Sequence, residues 1–370
     1  MRLVPINSIL PGAILSKTIY SKSGALLLRA GYPLHEKMID TARKNGVEFL
    51  YIEDSYSEQL IDNIIRPELK KRAIYTIKES FKQLHKLSTE SNPSSVKSNE
   101  IINNISSLAG ELVDNVLFTK QIGFHLVDIK NRDNDTYNHS VNTALLAIVL
   151  AIELGYEKKQ LQSITVGTLL HDLGKLFIPT EILLKPGKLT FEEFAIIKEH
   201  PKLGYDYLKN QVNIDSIALS IVYEHHEKAN GLGYPNNLKA KNISPFAKIV
   251  SICDVYEALT SDRAYRKAVS PNEALELLMG SCGTDFDLNM VSSFIKRINP
   301  YPVGSIVRLS NKDLAVIKKT NPKYVLRPVV SVINDNCTDI NSMDLDLMER
   351  FDVVIEELYS EAQENVPSTL

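Results

Sequence analysis

Apolar positions along the first fifty residues come in short runs rather than long stripes. An apolar opening, Ala25–Leu28 and Val47–Ile52 read as strands, separated by Pro11-Gly12 and Gly31. Between them Leu34, Met38 and Ile39 recur at helical spacing, a pattern that stops near Gly46. The pattern predicts a small α+β module over residues 1–56. Residues 57–86 carry a helical repeat with charged faces, and the Ser, Asn, Pro and Lys of Ser88–Glu100 have the composition of a link.

From Ile101 to about Ile298 helical periodicity takes over, and its starts are well marked. Thr190 with Glu193 forms a capping box, Ser244 precedes Pro245 at a first helical position, and Ser270-Pro271 with Glu273 combines both signals. Gly155 and Gly174 stand where helices should end. After Pro300 the period changes to two over Val303–Val332, with turns at Asn311 and Asn321-Pro322, which predicts a hairpin or meander. The last ten residues read as a frayed tail. The chain is thus expected to be mainly α, a helical bundle between a small α+β N-terminal module and a short β-rich C-terminal extension. Four stretches follow: the N-terminal module at 1–56, a helical connector at 57–120 with its polar link near 88–100, the helical bundle domain at 121–300, and the extension and tail at 301–370.

Composition narrows the function classes. Lys and Arg number 42 against 45 Asp and Glu, so no general positive field gathers polymeric nucleic acid. The longest apolar run, Ala144–Ile152, is nine residues and ends at Glu153, too short to span a bilayer. Cys253, Cys282 and Cys337 form no CxxC pair and no even framework, and the first residues lack a secretory pattern. A cytoplasmic location is expected, with neither membrane nor nucleic-acid polymer as partner.

The candidate chemistry is concentrated. Five of the eight histidines, His139, His171, His200, His225 and His226, fall in one stretch with Asp172 and Asp254. Singly, His139 or His200 would pass for an ordinary core or surface histidine. The ordered run of His, His-Asp, His, His-His and Asp, each on a predicted helix or its end, points to divalent first-row metals. Neighbours on a helix point about 100° apart, so His171 and Asp172 could serve two adjacent ions with the carboxylate between them. A two-metal site lowers the pKa of a bridging water and makes a hydroxide nucleophile for in-line attack on a phosphodiester.

The motifs HDLGK at 171–175, EHP at 199–201, EHHEKANGLGYP at 224–235 and DVYEALTSDRAYR at 254–266 resemble the HD-GYP family of HD phosphohydrolases. YNHS at 137–140 and YPVGSIVRLSN at 301–311 extend the resemblance over roughly 120–310. It implies an HD-type helical bundle with metal ligands His139, His171, Asp172, His200, His225, His226 and Asp254. It also implies a binuclear site of iron or manganese, and hydrolysis of cyclic di-GMP to linear pGpG, which some members carry on to GMP. Asp172 is the expected catalytic carboxylate. Lys175, four residues after His171, is expected to meet a phosphate oxygen on the same helical face. Arg263 and Arg266 stand at positions resembling the family's basic substrate contacts.

Gly231-Leu232-Gly233-Tyr234-Pro235 matches the signature loop. Its glycines open backbone conformations closed to other residues, Tyr234 offers a ring face and a hydroxyl, and Pro235 stiffens the exit. Gly233, Tyr234 and Pro235 are accordingly expected at the substrate. Asn230 departs from the family's usual Asp but keeps a turn-forming side chain. Asp135, four residues before His139, occupies a position where a family glutamate accompanies a third metal; it fits a helix N-cap equally well. Two readings stay open beside hydrolysis of cyclic di-GMP: a silent receptor for the same ligand, which a complete ligand set argues against, and a phosphodiesterase for cyclic GMP-AMP. A second copy of the chain and a signalling partner for the N-terminal module are left open as partners.

Overall fold

The computed structural model describes residues 2–358 except for 7, 8, 10, 21–25, 46, 48, 54–64, 91–94, 120–123, 126–135, 211–213, 262–267, 302, 322, 323 and 334–339. The chain divides into two compact units, one of Met1–Asp62, His125–Arg132 and Ile298–Leu370, the other of Asn63–Phe124 and Asp133–Arg297.

In the first unit Arg2–Pro5 pairs antiparallel with Phe49–Ile52, Leu3 opposite Tyr51. A shorter pair joins Ile19–Tyr20 to Leu26–Leu28. Helix α1, Glu36–Lys44, buries Ile39 and Ala42, and with Leu15, Leu28, Leu34 and Leu50 they make a small core. Farther along, five antiparallel strands lie in the order Ile340–Asp346, Val329–Ile333, Leu314–Lys319, Ile306–Leu309 and Ile355–Leu358. Period-two alternation sorts them: Val307, Leu309, Ala315, Ile317 and Val330 share one core, while Ile306, Val316 and Ile333 form another cluster. The expected meander is the middle of this sheet, and the tail lies outside the described residues.

The second unit is helical. Pro67 opens α2, Pro67–Ser88, whose Leu69, Ala73, Ile77, Phe81 and Leu84 form the buried stripe. Of the helix expected over 57–86, residues 57–64 lie outside the described residues. Helix α3 runs Ser95–Phe118, so the link expected near 88–100 is shorter than its composition suggested. Its polar start continues the stripe of Ile101, Ile102 and Ile105 backwards, burying Ser98 and turning Lys97 and Glu100 to solvent. Composition is a weaker guide than periodicity where a helix begins on its polar face.

Helix α4, Thr136–Glu153, is the centre: every residue from Ser140 to Ala151 is buried. Gly155, at φ +80°, lets the chain turn out of it. A capping box of Glu157 and Gln160 then starts α5, Lys158–Leu170. Next come α6 (Thr180–Leu183), α7 (Phe191–Ile197) with the Thr190–Glu193 box, and α8 (His200–Leu208). α9 (Ser216–Glu224) is capped by Asp215, and α10 (Pro245–Thr260), α11 (Pro271–Gly280) and α12 (Leu288–Arg297) follow. α5 and α10 pack on α4, and α9 packs on α5, α8 and α10. Gly174 does not end a helix. It sits in a 3₁₀ turn, Leu173–Phe177, pressed so close to α8 that a Cβ would strike the His200 carbonyl and lie 2.7 Å from the Gly204 nitrogen. Close approach, not a left-handed turn, requires this glycine. No helix among the described residues is long and apolar enough to cross a membrane.

Candidate metal centre

Helix ends build the site. His171 is the C-cap of α5 and Asp172 follows it into the 3₁₀ turn; His225 is the C-cap of α9 with His226 next; His200 opens α8. Only His139 and Asp254 lie within helices, α4 and α10. A helix end leaves carbonyls without intrahelical partners, and the imidazoles use them. The Nδ1 atoms of His171, His200 and His225 face the carbonyls of Thr168 (2.6 Å), Ile197 (2.8 Å), and Ile221 and Val222 (3.1 Å each). A carbonyl can only accept, so Nδ1 carries the hydrogen in each ring and Nε2 is left as the lone-pair donor.

The seven residues fall into two sets, each with its ligand atoms within 4.8 Å of one another: Asp172, His200, His225 and His226 in one, His139, His171 and Asp254 in the other. Asp172 faces both. Its Oδ1 is 3.4 Å from His200 Nε2, and its Oδ2 is 3.5 Å from His171 Nε2 and 4.0 Å from His139 Nε2. In the first set His200 Nε2 and His225 Nε2 approach to 3.2 Å; in the second His139 Nε2 is 2.9 Å from Asp254 Oδ1. The donor chemistry fits divalent cations: basic nitrogens and carboxylates converge in a buried space. His171 Nε2 and Asp172 Oδ1 are buried there without any hydrogen bond, an expensive arrangement unless something else satisfies them.

Electrostatics separate the sets. Burial pushes His200 down to about 3 and His226 to about 4, and drives His225 well below the usual histidine range. Burial also works against a charged His139, yet Glu257 and Asp254 overrule it and raise the ring to about 10. Burial likewise opposes charge on Asp172 and Asp254. Lys175 ahead of the imidazoles for the first, and His139 for the second, hold both carboxyls well below their usual range.

Lys175 lies in the 3₁₀ turn and binds Asp172 Oδ2 at 2.6 Å. Its local partner is therefore the carboxylate three residues back rather than the face of His171. Tyr234 stacks on His226 with centroids 4.7 Å apart, and its amide donates to the His226 carbonyl. The ring face expected for a ligand thus already covers an imidazole on one side, while the Lys198 ammonium stands 5.7 Å from the ring centre. Gly233 permits this fold-back, since a Cβ there would come within 2.6 Å of the His226 carbonyl. Pro235 follows a cis peptide, and Asn230 Oδ1 accepts from Leu232 N at 2.9 Å, the turn its side chain was expected to keep. Asp135, Arg263 and Arg266 lie outside the described residues.

Two residues escaped the sequence reading. Glu227, buried beside the paired histidines, accepts the amides of Asn236 (2.7 Å) and Leu238 (2.8 Å) and so ties down the loop. Glu257, equally buried, meets His139 Nδ1. The signal was available: Glu257 follows Asp254 by three on one helix, which puts both on one face.

Residues 126–290 match the family model of the HD domain. A cyclic di-GMP phosphodiesterase of Pseudomonas aeruginosa, PA4108, is 36% identical over 227 residues, 61% of this chain and 55% of that protein. The cyclic di-GMP phosphodiesterase response regulator RpfG of Xanthomonas campestris is 36% identical over 169 residues, 45% of each. A 3'3'-cGAMP-specific phosphodiesterase of Vibrio cholerae is 35% identical over 173 residues, 46% of this chain and 39% of that one. The chain spans about half the length of the curated relatives it matches. Among solved structures, the HD-GYP-type protein Bd1817 of Bdellovibrio bacteriovorus superposes with a TM-score of 0.52 at 20% identity. That match covers 79% of this chain and 97% of Bd1817, a likeness of fold.

Proposed function

We propose, with residues 126–290 an HD domain, that this chain is a metal-dependent phosphodiesterase whose substrate is a cyclic dinucleotide, cyclic di-GMP foremost. The observation that carries it is the pair of buried donor sets joined by Asp172. His139, His171 and Asp254 would hold one divalent cation, and His200, His225 and His226 the other, with Asp172 between them; iron or manganese suits these donors. When bound, such a pair supplies a water acidic enough to act at neutral pH and a positive clamp on phosphate oxygens. A third ion is left to Asp135.

The chain's own residues do the rest. Backbone carbonyls hold three imidazoles with Nε2 inward, so the donor geometry is set before anything binds. Lys175 carries a cation 2.6 Å from Asp172 and would meet a phosphate oxygen as a point charge. Glu227 and the stacked Tyr234 hold the 231–235 loop at the His226 edge, where Gly233, Tyr234 and Pro235 would border the base, and Arg263 and Arg266 would add positive charge. Residues 1–56 bring only His35 and no ligand cluster, which suits modulation of a cytoplasmic enzyme.

The test is anaerobic loading of the full chain with iron or manganese, then chromatography of products from cyclic di-GMP and from cyclic GMP-AMP. Linear pGpG from the first is expected. Faster cleavage of the second would reassign the substrate, in line with the cGAMP-specific relative. Metal-loaded protein that cleaves neither overturns the proposal.

A further inference from the structure

His139 is held differently from the other three oriented imidazoles. Their Nδ1 atoms face backbone carbonyls, whereas His139 Nδ1 faces the carboxylate Oε2 of Glu257, which is 2% exposed. The other oxygen of that carboxylate, Oε1, is already committed: Asn142 Nδ2 donates to it at 3.1 Å and Ser261 Oγ at 2.9 Å. Glu257 therefore cannot rotate its charge away without abandoning two donors. On the far side of the ring His139 Nε2 points at Asp254, 2.9 Å away, with His171 Nε2 3.9 Å from the same oxygen. Helices α4 and α10 thus each give two side chains to one line: Asn142 and His139, then Glu257 and Asp254.

We propose that Glu257 is a positioning residue for the set of His139, His171 and Asp254, keeping His139 with hydrogen on Nδ1 and its Nε2 lone pair turned to a divalent cation. This rests on the metal-centre reading above. A carboxylate behind a ligating imidazole fixes ring and tautomer and makes the other nitrogen a better donor than a carbonyl does. The set that has one fewer imidazole is so given the stronger one. Nothing in the first coordination chemistry needs Glu257: it lies one hydrogen bond behind.

A carboxamide in its place inverts the arrangement. Asn142 and Ser261 both donate to Oε1, so they hold the Glu257→Gln oxygen there, and the amide nitrogen then faces His139 Nδ1 as a donor. His139 must answer with hydrogen on Nε2, the atom needed for the metal. The test is titration of chelated, full-length protein with Co(II), followed by its visible spectrum and by calorimetry, for wild type, Glu257→Gln and Glu257→Asp. Wild type is expected to take two ions. Glu257→Gln should bind one of them about 10–100-fold more weakly, lose that ion's share of the visible bands, and remain cooperatively folded in chelator. Glu257→Asp, which still accepts, should recover part of the affinity. Two ions bound by Glu257→Gln as by wild type overturn the inference alone. So does an equal loss in both variants that follows a lowered chelated melting temperature, which marks a packing role. Wild type that takes up no Co(II) overturns the metal-centre reading itself.

Discussion

The two donor sets share Asp172 yet are built on opposite plans. The set of His200, His225 and His226 is gathered at helix ends and kept neutral by burial, its rings backed by carbonyls or by Tyr234. The set of His139, His171 and Asp254 takes His139 and Asp254 from within helices and is flanked by carboxylates, so His139 is held charged at neutral pH although it too is largely buried. Burial opposes the charged form in both; the local carboxylates decide the sign. One set waits as free base, the other is occupied by a proton that a cation has to displace.

Removing what the sets have in common should have the largest effect. Asp172→Ala takes a ligand from both at once, and it should cost more than the ~10–100-fold expected of a supporting partner. Metal analysis should show both ions lost, and hydrolysis of cyclic di-GMP should fall below detection, while the helical circular dichroism stays. Wild-type turnover at equal metal loading would break the idea of a shared carboxylate.

A packing change aimed at one set should come next. Gly174→Ala drives a methyl into the His200 carbonyl, so the 3₁₀ turn and α8 must part. Overpacking of this kind costs ~1–3 kcal/mol, roughly 2–4 °C in melting temperature for each kcal/mol in a unit of this size. His200 should lose affinity for its ion before His139 does. A variant that melts and binds as wild type would mean that close contact with α8 does not require glycine at position 174.

Lys175→Ala should do less. It removes the cation beside Asp172 and leaves all seven candidate ligands in place. KM for cyclic di-GMP should rise about tenfold at low salt, with the gap narrowing as ionic strength screens the missing charge. Unchanged metal stoichiometry is part of the expectation. Kinetics equal to wild type at every ionic strength would remove Lys175 from the phosphate.

The contrast between the sets was only half legible in the sequence. Ordered motifs brought together all seven candidate ligands, because each stands at a helix end or on a core helix whose register the apolar stripe fixes. What the motifs hid was the support. Glu257 and Glu227 are ordinary acidic letters until a fold places them behind His139 and under the loop. Gly174 reads as a stop signal because sequence shows local conformation and not the helix pressed against it. The link near 88–100 was read too long for a related reason: the polar residues of its second half lie on a helix face, and a face is visible only once the stripe beside it is extended backwards.

The smallest effect expected is also the one that sets the two plans directly against each other, in the stability of metal-free protein. Histidine in an unfolded chain titrates near 6.5. His139 stays protonated in the fold up to about 10. Above pH 6.5 the folded state therefore holds a proton that the unfolded state has released, and stability falls as pH rises. His200 and His226 run the other way. They stay neutral down to about 3 and about 4, so below 6.5 the unfolded state binds the extra protons and stability falls on acidification. The depressed carboxyls of Asp172 and Asp254 add to the acid loss mainly below about pH 4, and the raised Cys253 thiol adds to the alkaline loss above about 8.5. The interval from 5 to 8 is thus left mainly to the histidines. Thermal unfolding of chelated protein should peak near pH 6.5, each limb limited to about 1.4 kcal/mol per proton and pH unit. His139→Gln should flatten the limb above the peak, and His200→Gln the limb below it. Excess Co(II) should remove the His139 share of the alkaline limb in wild type, because the cation then does the work of the His139 proton. A chelated protein equally stable at pH 6.5 and 8, with His139 intact, would show that the carboxylates do not outweigh burial there, and the two sets would then differ in geometry alone.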